Sequence, residues 1–223
     1  MDSSRFVTSE ALPRARRWFA WVGVFAILAA ACAVAADIVA ISRTPSASFM
    51  ATSVSATAVG EHAWFVDGAI YVTGLAIAAL AFALHYWNLD HGRYRFGIFC
   101  LAALALTIFL LAGWDAYDPD QVPDFGFHMM LVYALSALFP LAALALARAF
   151  ASLHRSWGRF SIALGVLWLA CGPIYAVTPE AFEGLFQRIA FVLLLLWVAG
   201  IGMLLLKAET QPGPAVDPRQ EGA

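Results

Sequence analysis

Carboxylates and imidazoles gather at one end of the apolar segments of this 223-residue chain. Asp37 ends the first segment, Asp67 lies in the first turn of the second, and His128 lies in the first turn of the fourth. Glu61 and His62 directly precede the second segment, and the acidic stretch W-D-A-Y-D-P-D-Q-V-P-D-F leads into His128. Carboxylates with an imidazole are a competent ligand set for zinc or a similar ion. This end is therefore a candidate metal or polar-headgroup site. The competing account is a solvated acidic loop with one interfacial histidine. Spacing favours the competitor, because neither H-x-x-x-H nor H-E-x-x-H occurs.

Other reactive side chains carry weaker signals. His85, His91 and His154 belong to the opposite end, and His85 beside Tyr86 and Trp87 has the surroundings of an interfacial anchor. Haem ligation would need a second histidine facing it at the same depth, and none is evident. Ser55 is one of many hydroxyls in its loop. A nucleophile needs a base and an oxyanion site, and no G-x-S-x-G surrounds Ser55. Cys32, Cys100 and Cys171 fall inside apolar segments and form no C-x-x-C pair. They fit small buried hydrophobes better than a disulfide framework.

The elements that must position these residues are six apolar runs: Arg17 to Ile41, Trp64 to Trp87, Arg95 to Trp114, Gly126 to Phe150, Trp157 to Val177 and Ala181 to Leu206. Each has about the twenty residues needed to cross a bilayer core as a helix. The expected fold class is all-α, a polytopic bundle of six transmembrane helices. Residues 1–16 form a cytoplasmic N-terminal segment, 17–206 the membrane domain, and 207–223 a Pro-rich, polar tail expected to be disordered. Gly172-Pro173 is the clear helix interruption and should kink the fifth helix. Abundant Ala, with Gly68, Gly74, Gly165, Gly200 and Gly202, should let helices approach closely. The longest loop, about Ser42 to His62, keeps Phe49, Met50, Val54 and Val59 among its hydroxyls. A short surface helix with Pro45 near its start fits that pattern.

Charge sets the expected orientation. Arg5, Arg14, Arg16, Arg17, Arg93, Arg95, Arg148, Arg155, Arg159, Lys207 and Arg219 fall on one side, and only Arg43 and Arg188 on the other. The positive-inside rule then puts both termini in the cytoplasm and the acidic cluster outside. R-A-R-R before the first run resembles a signal peptide, but the run continues to Ile41 and is expected to stay uncleaved. Trp18, Trp87, Tyr94 and Trp157 would mark the inner interface, and Trp64, Trp114, Tyr117 and Tyr175 the outer one. A net charge of -2 gives no electrostatic support for a nucleic-acid partner. A helical bundle belongs in the cytoplasmic (inner) membrane rather than the outer one.

Ser55 to Gly60 reads S-A-T-A-V-G, Asp115 to Asp120 reads D-A-Y-D-P-D, and G-F-H-M-M surrounds His128. In these stretches the chain resembles a prokaryotic six-helix membrane family known only as a domain of unknown function. That family has an S-E-Y-A-V-G-like stretch before the second helix, then an F-P-x-D-like turn and a histidine opening the fourth. Here Ala56 and Thr57 stand in place of E-Y, and Ala116-Tyr117 where F-P is usual. The resemblance spans the first helix to the sixth. It implies that Ser55, Asp118 and His128 act together, and it supplies no activity.

Three functions follow in order. The first is a non-catalytic membrane module that binds lipid or a membrane protein partner through a polar site at the outer face. The second is a metal-dependent hydrolase of lipid amides or esters. There Asp118 and His128 would hold zinc, Asp37 or Asp67 would complete the shell, and Ser55 would orient the attacking water. The third is a small transporter, opposed by the lack of charge from Gly97 to Ala112, Met130 to Ala147 and Phe191 to Leu206.

Overall fold

In lipid an isolated segment must satisfy its backbone N–H and C=O groups internally, so the apolar runs fold as helices. The computed structural model describes residues 11–58, 63–89, 92–113 and 125–210. The elements are α1 (Ala11–Arg43), α2 (Val54–Thr57), α3 (Ala63–Trp87), α4 (Tyr94–Gly113), α5 (Phe125–Leu153), α6 (Arg155–Ala176) and α7 (Glu183–Thr210). A single 3-10 turn, Glu180–Phe182, leads into α7. Six of the helices are long and apolar enough to cross a membrane. The chain is thus a multi-pass, all-α membrane protein, as its hydropathy predicts.

The helix ends differ in places from expectation. α1 starts at Ala11, inside the segment expected to precede the bundle, and α7 runs on to Thr210. The loop helix is one turn, Val54–Thr57. It is capped by Ser53, whose hydroxyl accepts from Ala56 N, rather than starting near Pro45. Val54 and Thr57 are buried, so this turn is tucked into the protein rather than laid on a membrane surface. α6 remains helical through Pro173 to Ala176. A second proline, Pro140, lies inside α5.

The long helices form a closed ring in the order α1, α3, α4, α5, α6, α7, with α7 packing back on α1. α6 and α7 are the most loosely packed neighbours in it. The α1–α7 seam is antiparallel and is fixed at two levels. At one, a Cβ on Gly23 would meet the Gly202 carbonyl oxygen at 2.5 Å, and a Cβ on Gly202 would meet that of Gly23 at 2.7 Å. Only glycine at both positions permits that backbone approach. At the other, Asp37 meets Arg188. Each step along the seam covers 14 residues, about 21 Å of helix. The face carrying the start of α1 and the end of α7 is called the terminal face below, and the opposite one the loop face.

Interior hydrogen bonds tie neighbouring helices together. Tyr94, expected at the interface, instead turns inward. It is 1% exposed and its hydroxyl donates to Leu84 O at 2.6 Å. The same carbonyl accepts from Asn88 N at 3.1 Å, and Asn88 ends α3 in the left-handed region at φ 47°. Asparagine tolerates that conformation better than most residues. Pro140 has no N–H to give to Ser136 O four residues earlier, and the Trp168 indole N–H donates there at 3.1 Å. Trp197 donates to Ser161 Oγ at 2.8 Å, and Ser161 donates to Ala143 O at 2.8 Å. Phe139 packs edge-on against both Trp168 and Trp197 at the centre. Large apolar side chains such as Trp21, Leu28, Phe99 and Val177 point outward, as a lipid-facing surface requires.

Gly202→Val should push α1 and α7 apart and cost about 1–3 kcal/mol as an overpacking change. Gly68 has open space around its Cβ position. Gly68→Ala should therefore be neutral or slightly stabilising. Thermal unfolding of the two detergent-purified variants beside the parent checks this contrast.

Candidate functional site

Asp37 lies six residues before the end of α1, about 9 Å inside it, and Arg188 lies in the second turn of α7. Both are buried, with side-chain exposures of 8% and 5%. Charges this deep in apolar helices persist only when paired. Here the pairing is bidentate: Arg188 Nε donates to Asp37 Oδ2 at 2.8 Å, and Nη2 to Oδ1 at 2.9 Å. The third nitrogen, Nη1, faces the carbonyls of Phe49 at 3.0 Å, Thr52 at 2.6 Å and Gly184 at 3.2 Å. Five oxygens thus surround a group with five N–H donors. The Phe49 ring covers the guanidinium, its centroid 4.7 Å from Cζ.

Arg188 therefore holds the 44–58 segment against the start of α7. Leu185 N donates to Met50 O at 2.9 Å, and Val54 N donates to Gln187 Oε1. A Cβ at Gly184 would strike the Thr52 carbonyl, so glycine is what lets the loop lie this close. Gln187 Nε2 donates to Ser55 Oγ at 3.4 Å, and Ser55 Oγ lies 3.2 Å from Ser53 Oγ. Two hydroxyls and an amide thus form a half-buried neutral patch. Phe49 and Met50 stand exposed in the same segment.

The residues singled out from sequence have different fates. Ser55 belongs to this patch, with Ser53 and Gln187 as its partners. Asp37 has both oxygens engaged by Arg188. Asp67 lies in the first turn of α3 and makes a polar interaction of its own. His128 lies in the first turn of α5, and its Nδ1 is buried without a hydrogen-bond partner among the described residues. α5 packs between α4 and α6, across the ring from α1. α2, which carries Ser55, contacts α1 and α7. Asp118, Glu61 and His62 lie outside the described residues. Among the described residues, no three His, Cys, Asp or Glu side chains gather as metal ligands.

Arg188, Gln187, Ser53 and Phe49 were not anticipated. The available signal was Arg188 itself, a cation within the last apolar run, which requires a buried acid on a neighbouring helix.

Removing one member of a buried ion pair strands the other, at about 3–5 kcal/mol, whereas apolar replacement of both is often neutral. Arg188→Met and Asp37→Leu should each lower thermal stability by that order, and the double variant should recover most of it. The double variant still lacks the donor to Phe49, Thr52 and Gly184. Its 44–58 segment should therefore be cut faster by protease than in the parent, despite the restored melting temperature.

No curated protein and no solved structure matches the chain. One family profile does, over residues 27–204, a stretch that runs from within α1 to within α7 and takes in every long helix. Such coverage, including both halves of the Asp37–Arg188 pair, makes the chain a member of the family described as "Protein of unknown function (DUF998)".

Proposed function

We propose that this protein is a non-catalytic binding module of the cytoplasmic membrane. In this reading the termini are cytoplasmic, and the loop face meets a polar lipid headgroup, or a membrane partner, at the outer leaflet. The observation that carries the reading is the Ser53–Ser55–Gln187 patch, held rigid by Arg188 and flanked by exposed Phe49 and Met50. Neutral donors and acceptors beside apolar side chains suit a ligand with a polar head and an apolar body. Ser55 touches a hydroxyl and an amide, neither of which is a base able to activate it. The buried charges do not favour a transport pathway, because both are saturated by fixed protein atoms.

Native mass spectrometry of the detergent-purified chain should find a retained polar lipid. Ser55→Ala removes one hydrogen bond, worth about 0.5–1.5 kcal/mol, so retention should fall about two- to tenfold. Unchanged retention, or turnover of the lipid by the protein alone, would overturn the reading.

A metal-dependent lipid hydrolase is the second reading, favoured by the unpartnered Nδ1 of His128. Asp118 and His128 would then hold zinc, Asp67 would complete the shell, and the ion would supply a bound water of pKa about 7. On that reading the purified protein carries near-stoichiometric zinc, and both His128→Ala and Asp118→Ala lose it. Metal content that does not change in either variant ends it.

A further inference from the structure

The outer side of the α5–α6 seam carries a feature unrelated to the loop-face patch. The two helices run antiparallel and touch most closely near the terminal face. There a Cβ on Gly158 would meet the Ala151 Cβ at 2.5 Å and the Ala147 carbonyl oxygen at 2.7 Å. Two turns deeper, a Cβ on Gly165 would meet the Ala143 Cβ at 3.3 Å. These contacts fix the register of the seam and set Arg148 of α5 about level with Arg159 of α6. Arg155 lies one turn nearer the terminal face.

The same packing fixes which way the side chains lie. On α6, Gly158 and Ser161 turn to α5, and Phe160 turns to α7, where its ring occupies the space beside Gly200. Arg155, Arg159 and Ile162 recur at the i, i+4, i+7 spacing of one helix face, the face left outward. On α5, Leu144 and Arg148 stand one turn apart on a single face, and Leu144 lies against Gly165. All five side chains are exposed. None of the three arginines makes an ion pair or side-chain hydrogen bond among the described residues. Uncancelled cations at the membrane-surface end of the seam, with aliphatic side chains one turn deeper, are complementary to a lipid with an anionic headgroup. An acyl chain lying along an open furrow needs no enclosed cavity.

We propose that the outer α5–α6 seam binds an anionic phospholipid at the terminal face. The phosphate meets Arg148, Arg155 and Arg159, and an acyl chain lies along Leu144 and Ile162. This site is independent of the loop-face reading and uses none of its residues.

The test places the full chain in phosphatidylcholine nanodiscs with and without phosphatidylglycerol and measures lipid retained after release into detergent by native mass spectrometry. The parent should retain phosphatidylglycerol over phosphatidylcholine. A basic residue near a membrane surface is worth about fivefold, so Arg148→Gln and Arg159→Gln should each lower that preference about fivefold. Arg17→Gln removes an exposed charge of the same face from α1, across the ring from α5, and should leave the preference unchanged. Soluble glycerol 3-phosphate, tested on the parent so that no variant need fold, should not displace the lipid. Equal retention of the two lipids by the parent overturns the site. So does an equal fall in all three variants, which is diffuse surface charge, or displacement by the chainless headgroup, which is a phosphate site without a lipid.

Discussion

Two opposite charges facing one another inside apolar helices dictate how the loop face is built. Taking each ion out of water costs several kcal/mol, and only good geometry with extra hydrogen bonds offsets that. The Asp37 carboxylate is met in a fork by Arg188, and the remaining guanidinium donors turn to backbone carbonyls. Lysine could not do this, because its ammonium is a point donor without a planar fork. Two of the three carbonyls come from the 44–58 segment, so satisfying Arg188 also helps fix that segment beside the Met50 and Val54 hydrogen bonds to the start of α7.

The same demand for satisfied polar groups shapes the rest of the bundle. Lipid offers no hydrogen bonds, so a carbonyl freed by Pro140 needs a protein donor, and Trp168 is that donor. Ser161 links three helices by accepting from Trp197 and donating to Ala143. Nor does lipid push helices together as water does, so close packing must supply the attraction. Along α1 and α7 the two devices divide the seam. Facing glycines let backbones touch near the terminal face, and the ion pair locks the loop half.

Much of this was legible in the sequence, and the failures have a common cause. The six spans were readable because length and hydropathy are local properties, and the bilayer imposes them on each segment separately. Asp37 stood out as an acid within a helix end, but its role depended on a residue 151 positions away. By loop charge alone Arg188 reads as a cation of the far side. Treating it as a buried charge in need of a partner would have pointed to Asp37, because both sit at similar depth. Tyr94 departs from expectation for a related reason: a ring near a helix end suits the interface, and only the fold brings Leu84 O within its reach. Ser55 was noticed through a family resemblance, while its neighbours Ser53 and Gln187 carried no local sign. The facing of Gly23 and Gly202 likewise depends on ring closure, which no local pattern encodes.

The two faces solve one problem in opposite ways. At the loop face the charges of Asp37 and Arg188 are consumed inside the protein, and the hydroxyls of Ser53 and Ser55 with the Gln187 amide lie half-buried beside them. At the terminal face the interior polar groups are neutral and paired, and Arg155 and Arg159 stand outside without an acid among the described residues. A neutral patch discriminates by hydrogen-bond geometry and is insensitive to salt. Exposed arginines act through charge and weaken as ions screen them. Between the two faces the helices satisfy their buried polar side chains within the protein, His128 Nδ1 excepted among the described residues, and turn most of their large apolar side chains outward.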